Sequence, residues 1–140
     1  MKPKRIHHVG VIAKDRAMAE HIMDMFQLEI DYEDDVQAYD SHLIFTKYGP
    51  VGDVPIEFII PRSGVLTQFR DGRGGLHHIA FEVEDVEAAA AEFREKGMGM
   101  LEEHAVPGSC DIMVNFLRPR FSDGVLFEFV ETVGEPPRKK

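Results

Sequence analysis

The sequence predicts an α+β fold made of two βαβββ modules, and the main reason is an internal repeat. Residues 5–15 (RIHHVGVIAKD) align with residues 75–85 (GLHHIAFEVED), and each stretch contains two adjacent histidines. The offset of 70 residues is half of the 140-residue chain. A glutamate beside a phenylalanine also repeats near the end of each half, as Glu57 and Glu128. A repeat of half the chain's length indicates two similar modules.

Length and composition favour one globular domain covering residues 1–140, with 44% hydrophobic and 29% charged residues. The net charge of −9 argues against binding to nucleic acid or to anionic membranes. Neither a secretory signal nor an apolar run of about 18 residues is present, so we expect a cytoplasmic protein. Cys110 is the single cysteine, which excludes an internal disulfide and a cysteine-rich zinc site.

Module one covers about residues 5–60. Its predicted elements are a strand at 5–12, a helix at 15–27, and strands at 28–33, 41–48 and 54–60, with an acidic turn at 34–40. Apolar residues at three- and four-residue steps predict the helix, and Asp15 is suited to cap its N-terminus.

A connector rich in glycine, arginine and serine follows at residues 61–75, and module two covers about residues 76–132. Its predicted elements are a strand at 76–83, a helix at 85–96, and strands near 98–103, 112–117 and 125–131. Asp85 is suited to cap the helix, and Gly97 is suited to end it.

Strand geometry decides which histidine of each pair can face a shared site, because successive side chains point to opposite faces. Val11 shares a face with His7, so we expect both to pack under the helix of module one and His8 to face the other way. By the same parity, His77 belongs to the packed face of module two and His78 to the open face.

The repeat therefore predicts one metal site with two histidines and two carboxylates: His8, Glu57, His78 and Glu128. Imidazole and carboxylate ligands suit Zn, Fe, Mn, Co or Ni. Four protein ligands on an octahedral ion leave two positions for water or substrate. Such an ion can polarise a carbonyl group and stabilise an enolate.

The motifs HHVG, IEFIIP, LHHIAFEVED and GVLFEFVE, in this duplicated order, resemble the vicinal oxygen chelate superfamily over roughly residues 5–132. Residues 114–131 are most similar to methylmalonyl-CoA epimerases, which often have glutamine at the position of Glu57; the present ligand set is more like bacterial glyoxalase I. The resemblance implies a cupped mixed sheet around one divalent ion, and a homodimer.

The resemblance also implies a function: a metal-dependent epimerase or isomerase acting on a small acyl substrate, such as methylmalonyl-CoA, through a metal-bound enolate. Epimerases of this family have a glutamate base on the third strand of module one, and we match that position to His42. His42 and Glu128 would then move the proton on opposite sides of the enolate. Arg118 and Arg120 match basic residues of the epimerases and would bind an anionic substrate.

Three alternatives stay open at this point. A lactoylglutathione lyase of the glyoxalase I type would use the same metal, with Glu57 and Glu128 as its acid–base pair. A non-enzymatic protein would bind a small molecule, such as an antibiotic, between the modules. An iron-dependent dioxygenase would need two histidines and one glutamate.

Overall fold

The computed structural model describes residues 1–49, 53–109 and 111–134. The elements are β1 (Arg5–Ile12), α1 (Arg16–Phe26), β2 (Ile30–Val36), β3 (Ser41–Thr46), β4 (Ile56–Pro61), β5 (Gly75–Glu82), α2 (Val86–Glu95), β6 (Val106–Pro107), β7 (Ile112–Phe116) and β8 (Phe127–Thr132). Two short 3₁₀ helices lie at Val65–Gln68 and Pro119–Ser122. Neither α-helix in the described ranges is long and apolar enough to span a membrane.

These strands form one mixed sheet in the order β2-β3-β4-β1-β5-β8-β7-β6. Each module contributes four neighbouring strands, and its first strand pairs in parallel with its last: β1 with β4, and β5 with β8. The antiparallel pair β1–β5 joins the two modules at the centre. The predicted fold, two βαβββ modules in a cupped α+β sheet, is confirmed.

The helices cover the convex face of the sheet. Ala19 and Met23 of α1 pack against Ile44 and Phe58, and Val11 belongs to the same cluster. Burying such apolar side chains is the main force that holds a helix against a sheet.

Both helices begin where the sequence predicts. Asp15 accepts a hydrogen bond from the backbone N–H of Met18, and Asp85 accepts one from the N–H of Ala88. Each cap satisfies an N–H group that the first turn leaves without a partner, and is worth about 1 kcal/mol.

Two predicted elements of the outer strands were wrong. Strand β2 begins at Ile30 and continues to Val36, through residues assigned to an acidic turn. Their carboxylates are tolerated because β2 is an edge strand, and Asp35 pairs across it with His42. The strand predicted near 98–103 is reduced to an isolated bridge at Met100, and the short β6 follows later.

The inner, concave face of the sheet carries its own apolar clusters. Residues such as Leu43, Phe45 and Ile59 come from module one, and Ile112 and Val114 from module two. Leu43 and Ile44 are adjacent in β3, so they lie on opposite faces of the sheet. This parity becomes important for His42, which precedes them.

Candidate metal centre

Two rows of paired residues cross the centre of the sheet and carry the four candidate ligands. The first row, from β3 through β4 and β1 to β5, is Phe45, Glu57, Gly10 and His78. The second row, from β7 through β8 and β5 to β1, is Phe116, Glu128, Ala80 and His8. The rows are related by the internal repeat, so each module supplies one histidine and one glutamate.

A small residue separates the histidine from the glutamate in each row. A Cβ built on Gly10 would overlap the imidazole ring of His78, so the close approach of His78 requires glycine at this position. Ala80 takes the equivalent place beside His8 and is fully buried. Because both residues are small, the imidazole rings of His78 and His8 can lie directly above β1 and β5.

The side chains of all four candidate ligands are buried and converge on one point. The Nε2 atoms of His8 and His78 lie 3.1 Å apart. Oε1 of Glu128 is 3.1 Å from Nε2 of His8 and 3.4 Å from Nε2 of His78. Oε1 of Glu57 lies 3.5 and 3.7 Å from the same two nitrogens.

These separations fit a metal ion. Ligand bonds of about 2.0–2.2 Å place neighbouring ligand atoms roughly 3 to 3.5 Å apart. The ligand atoms of His8, Glu57 and His78 all lie within 4.8 Å of one another, so these three residues could hold an ion. Oε1 of Glu128 is buried and has no hydrogen-bond partner of acceptable geometry among the described residues. A cation at this point would satisfy that oxygen.

The charges of the cluster also favour a cation. Burial lowers the pKa of His8, but the carboxylates of Glu57 and Glu128 outweigh burial and raise it to about 10. Burial raises the pKa of Glu128, and the imidazoles of His78 and His8 bring it below its usual value. Two buried carboxylates thus require compensating positive charge, which a proton or a divalent cation can supply.

The two preceding histidines do not lie where strand parity predicts. Nδ1 of His7 is 2.7 Å from Nδ1 of His8, and Nδ1 of His77 is 2.8 Å from Nδ1 of His78. The prediction that His7 and His77 pack under the helices is therefore wrong. The reason is a register shift at each of them in the β1–β5 ladder, which a regular strand pattern cannot reveal.

Both of these outer histidines are neutral near pH 7. The pKa of each is lowered to about 4, mainly by burial and also by the charge of the neighbouring imidazole. His77 packs edge-on against Phe69, with ring centroids 5.1 Å apart. His7 lies instead near Tyr32 and Asp31, on the other side of the cluster.

A cavity of about 160 Å³ opens beside the cluster, between the two modules. Glu57, Glu128 and His77 contribute polar groups to its wall, and most of the rest is apolar, including Leu43. No arginine or lysine lines it within residues 1–49, 53–109 and 111–134. The cavity can therefore hold a small, largely apolar group directly against the ligand cluster.

His42 does not reach this cavity. It shares the helix-covered face of β3 with Ile44, and its ring lies between two carboxylates: Nε2 is 2.8 Å from Glu33 and Nδ1 is 2.9 Å from Asp35. Leu43, the next residue, lines the cavity instead. The structure thus brings together the four predicted ligands but leaves His42 outside.

Arg118 and Arg120 also lie away from the cavity wall. The Nε–H of Arg118 donates a hydrogen bond to the carbonyl oxygen of Met100. The guanidinium of Arg120 stacks on the ring of Phe121, which packs against the apolar core cluster under α2. Cys110, which we interpreted as a free thiol, lies outside the described residues.

The opposite side of the ligand cluster is closed by a polar contact between the modules. The hydroxyl oxygen of Tyr32, in β2, lies 3.1 Å from Oγ of Ser109. This serine hydroxyl donates a 2.7 Å hydrogen bond to Asp111. On the cavity side, the buried hydroxyl of Tyr39 has no hydrogen-bond partner among the described residues. No sequence signal marks Tyr39, because only the tertiary structure brings it to the cavity.

Comparison with known proteins agrees with this architecture. The family model of the Glyoxalase/Bleomycin resistance protein/Dioxygenase superfamily matches residues 7–116. The mitochondrial methylmalonyl-CoA epimerase of Mus musculus is 26% identical over 129 residues, which cover 89% of this chain and 71% of that protein.

Solved structures give the same result. A variant of the Streptomyces coelicolor methylmalonyl-CoA epimerase, in complex with 2-nitronate-propionyl-CoA, superposes with a TM-score of 0.84 at 26% identity. The match covers 95% of this chain and all of that one. The methylmalonyl-CoA epimerase of Mycobacterium tuberculosis also gives a TM-score of 0.84, at 25% identity, covering 94% and 90% of the two chains.

Proposed function

Because this chain belongs to the Glyoxalase/Bleomycin resistance protein/Dioxygenase superfamily, we propose that it is a metal-dependent epimerase of the methylmalonyl-CoA epimerase type. Its substrate would be a small acyl thioester with an acidic C–H next to the carbonyl. The observation that carries the proposal is the buried cluster of two histidines and two glutamates at the wall of a 160 Å³ cavity.

His8, Glu57, His78 and Glu128 would hold one divalent ion. Two imidazoles and two carboxylates favour Zn, Co, Ni, Mn or Fe over a hard cation such as Ca²⁺, which prefers oxygen ligands alone. When bound, the ion would act as a Lewis acid and stabilise negative charge on the carbonyl oxygen of the substrate.

Proton transfer would fall to the two glutamates. Glu128 comes from module two and Glu57 from module one, and each carboxylate contacts both imidazoles. Both glutamates line the cavity, and Glu128 would remove the proton from one face of the carbon. Glu57, in its protonated form, would donate a different proton to the other face of the carbon, and exchange with solvent would restore both groups. This assignment replaces His42, which lies on the opposite side of β3.

The apolar wall of the cavity supports an acyl group with a small alkyl substituent. Leu43 and Val114, one from each module, line the cavity and would contact such a substituent. The 160 Å³ volume fits the acyl part alone, so the larger part of a thioester would extend outward.

The two carboxylates of the cluster equally suit a lyase of the glyoxalase I type, which is the second candidate. Assays with the methylglyoxal–glutathione adduct and with methylmalonyl-CoA, on the same metal-loaded protein, separate the two functions. Formation of lactoylglutathione without proton exchange in the thioester would favour the lyase.

The direct test measures exchange of solvent deuterium into one epimer of methylmalonyl-CoA, together with the formation of the other epimer. The full chain is compared after loading with Co, Ni or Zn and after treatment with a chelator. We expect both reactions to depend on the metal and to resist His42→Asn, which lies outside the cavity. Absence of exchange in every metal-loaded sample would refute the proposal.

Two further expectations remain predictions. A homodimer is expected from the family resemblance, and light scattering of the purified chain tests it. A cytoplasmic location is expected from the sequence, and fractionation of cells that express the chain tests it.

A further inference from the structure

Each ligand histidine lies next to a β-bulge, and the bulged residue is the histidine before it. In the β1–β5 ladder, Ile6 faces Phe81 and His8 faces Ala80, so His7 is the extra residue on β1. Gly10 faces His78 and Val11 faces Leu76, so His77 is the extra residue on β5. Adjacent side chains of a regular strand point apart, whereas a bulge re-aims one of them. The bulges thus explain how two consecutive imidazoles can meet.

The contacts of the ligand imidazoles determine which nitrogen is free. A neutral imidazole has one N–H donor and one acceptor nitrogen. His8 and His78 direct their Nε2 atoms at the centre of the cluster, so their protons belong on Nδ1. Those Nδ1 atoms lie 2.7 and 2.8 Å from Nδ1 of His7 and His77, within hydrogen-bond distance.

We infer that His7 and His77 are positioning residues, each of which accepts a hydrogen bond from the Nδ1–H of the following histidine and so keeps its Nε2 directed at the metal. The inference rests on the proposed metal site. Metal-binding histidines commonly donate their second N–H to a carboxylate or a carbonyl group, which fixes the tautomer and the ring orientation. In this chain, the preceding imidazole of the same strand would accept that hydrogen bond, in both modules.

The two bulges differ in their surroundings, and this difference makes the inference testable. His77 lines the cavity, so a substitution there also changes the substrate site. His7 lies on the closed side of the cluster, near Tyr32 and Phe45, and does not line the cavity. A loss of metal affinity that is similar for His7 and His77 therefore reflects the hydrogen bond and not contact with substrate.

The experiment measures Co(II) affinity of the full chain by competition with a chromophoric chelator, together with the visible spectrum of bound Co(II). His7→Leu and His77→Leu remove the acceptor, and we expect each to weaken binding by about 10- to 100-fold. His7→Asn and His77→Asn place an amide oxygen near the position of Nδ1, and we expect them to stay within a few-fold of wild type. His21→Leu, on the exposed surface of α1, is the control.

A second measurement needs no variant. Nitrogen NMR of the zinc-loaded wild type reports the tautomer of each histidine, and we expect Nδ1–H for His8 and His78. Leucine variants that bind Co(II) like wild type would overturn the inference and leave the proposed metal site intact, whereas protons on the Nε2 atoms would refute both. If the wild type binds no Co(II), the proposed function fails and the inference fails with it.

Discussion

The two modules carry the same candidate ligands on their inner strands but differ in their outer strands. Strands β1 and β4 of module one and β5 and β8 of module two place a histidine and a glutamate at equivalent positions. The outer strand β2 has seven residues, whereas its counterpart β6 has two. The duplication is retained where both halves must meet at one point, and it diverges where the halves shape the surrounding space.

The two sides of the ligand cluster differ in the same way. On one side, Tyr32 and Ser109 join the modules and leave little space. On the other, Tyr39 and Leu43 line an open cavity. The approximately symmetric cluster of candidate metal ligands is therefore open to a substrate from one side only, as an enzyme site requires.

The largest difference between modules is expected at the two glutamates. Glu128→Gln should abolish epimerisation, by about 10²- to 10⁴-fold, and should keep deuterium exchange only into the epimer whose proton faces Glu57. Glu57→Gln should keep exchange into one epimer and lose formation of the other, since an amide can remain a ligand but cannot return a proton. Rate measurements on both epimers check this. Loss of exchange into the same epimer in both variants would show that the two glutamates do not act on opposite faces of the carbon.

The small residues of the two rows give the next comparison. Gly10→Ala places a methyl group against the imidazole of His78, so we expect weaker Co(II) binding and a loss of about 1–3 kcal/mol in the free energy of unfolding. Ala80→Gly, the reciprocal change, should cost about 1 kcal/mol and keep Co(II) affinity. Chelator competition and urea denaturation measure both quantities. Normal Co(II) binding by Gly10→Ala would show that His78 has room to move.

The two tyrosines test the two sides of the cluster. Tyr32→Phe removes a hydrogen bond between the modules and should lower the free energy of unfolding by about 1 kcal/mol without changing KM. Tyr39→Phe removes a hydroxyl with no partner among the described residues, so stability should not fall. KM should rise if that hydroxyl binds substrate. An unchanged KM in Tyr39→Phe would assign the tyrosine to packing alone.

The smallest effect is expected at His42, which has no titratable counterpart in module two, where Met113 takes the equivalent position. Partial burial lowers the pKa of His42, and Glu33 and Asp35 outweigh it, so the pKa is raised in the folded state. The contribution of protonated His42 to the free energy of unfolding is therefore complete below the unfolded pKa of about 6.5. It is lost as the pH rises through the folded pKa.

His42→Asn should thus lower the free energy of unfolding by less than about 1 kcal/mol, at low pH and low salt only. Urea denaturation of wild type and variant at pH values on both sides of about 6.5 measures this. A destabilisation that is larger at high pH would contradict the assignment of the two carboxylates as its cause.

The repeat made much of the fold and of the ligand cluster predictable. Duplicated histidines and glutamates identified the candidate ligands, and Asp15 and Asp85 marked the helix starts, because caps and strand periodicity are local properties. The outer strands were less predictable: the acidic residues of β2 and the short β6 depend on lying at a sheet edge.

The sequence by itself determined the two modules, their order of elements and the residue types that converge at the centre. The tertiary structure alone decided how neighbouring side chains are directed. It placed Leu43 and not His42 in the cavity, and through two bulges it turned His7 and His77 toward the ligands they precede. The physical reason is register: which face a strand residue occupies depends on its pairing with other strands, and a bulge changes that face without any local signal.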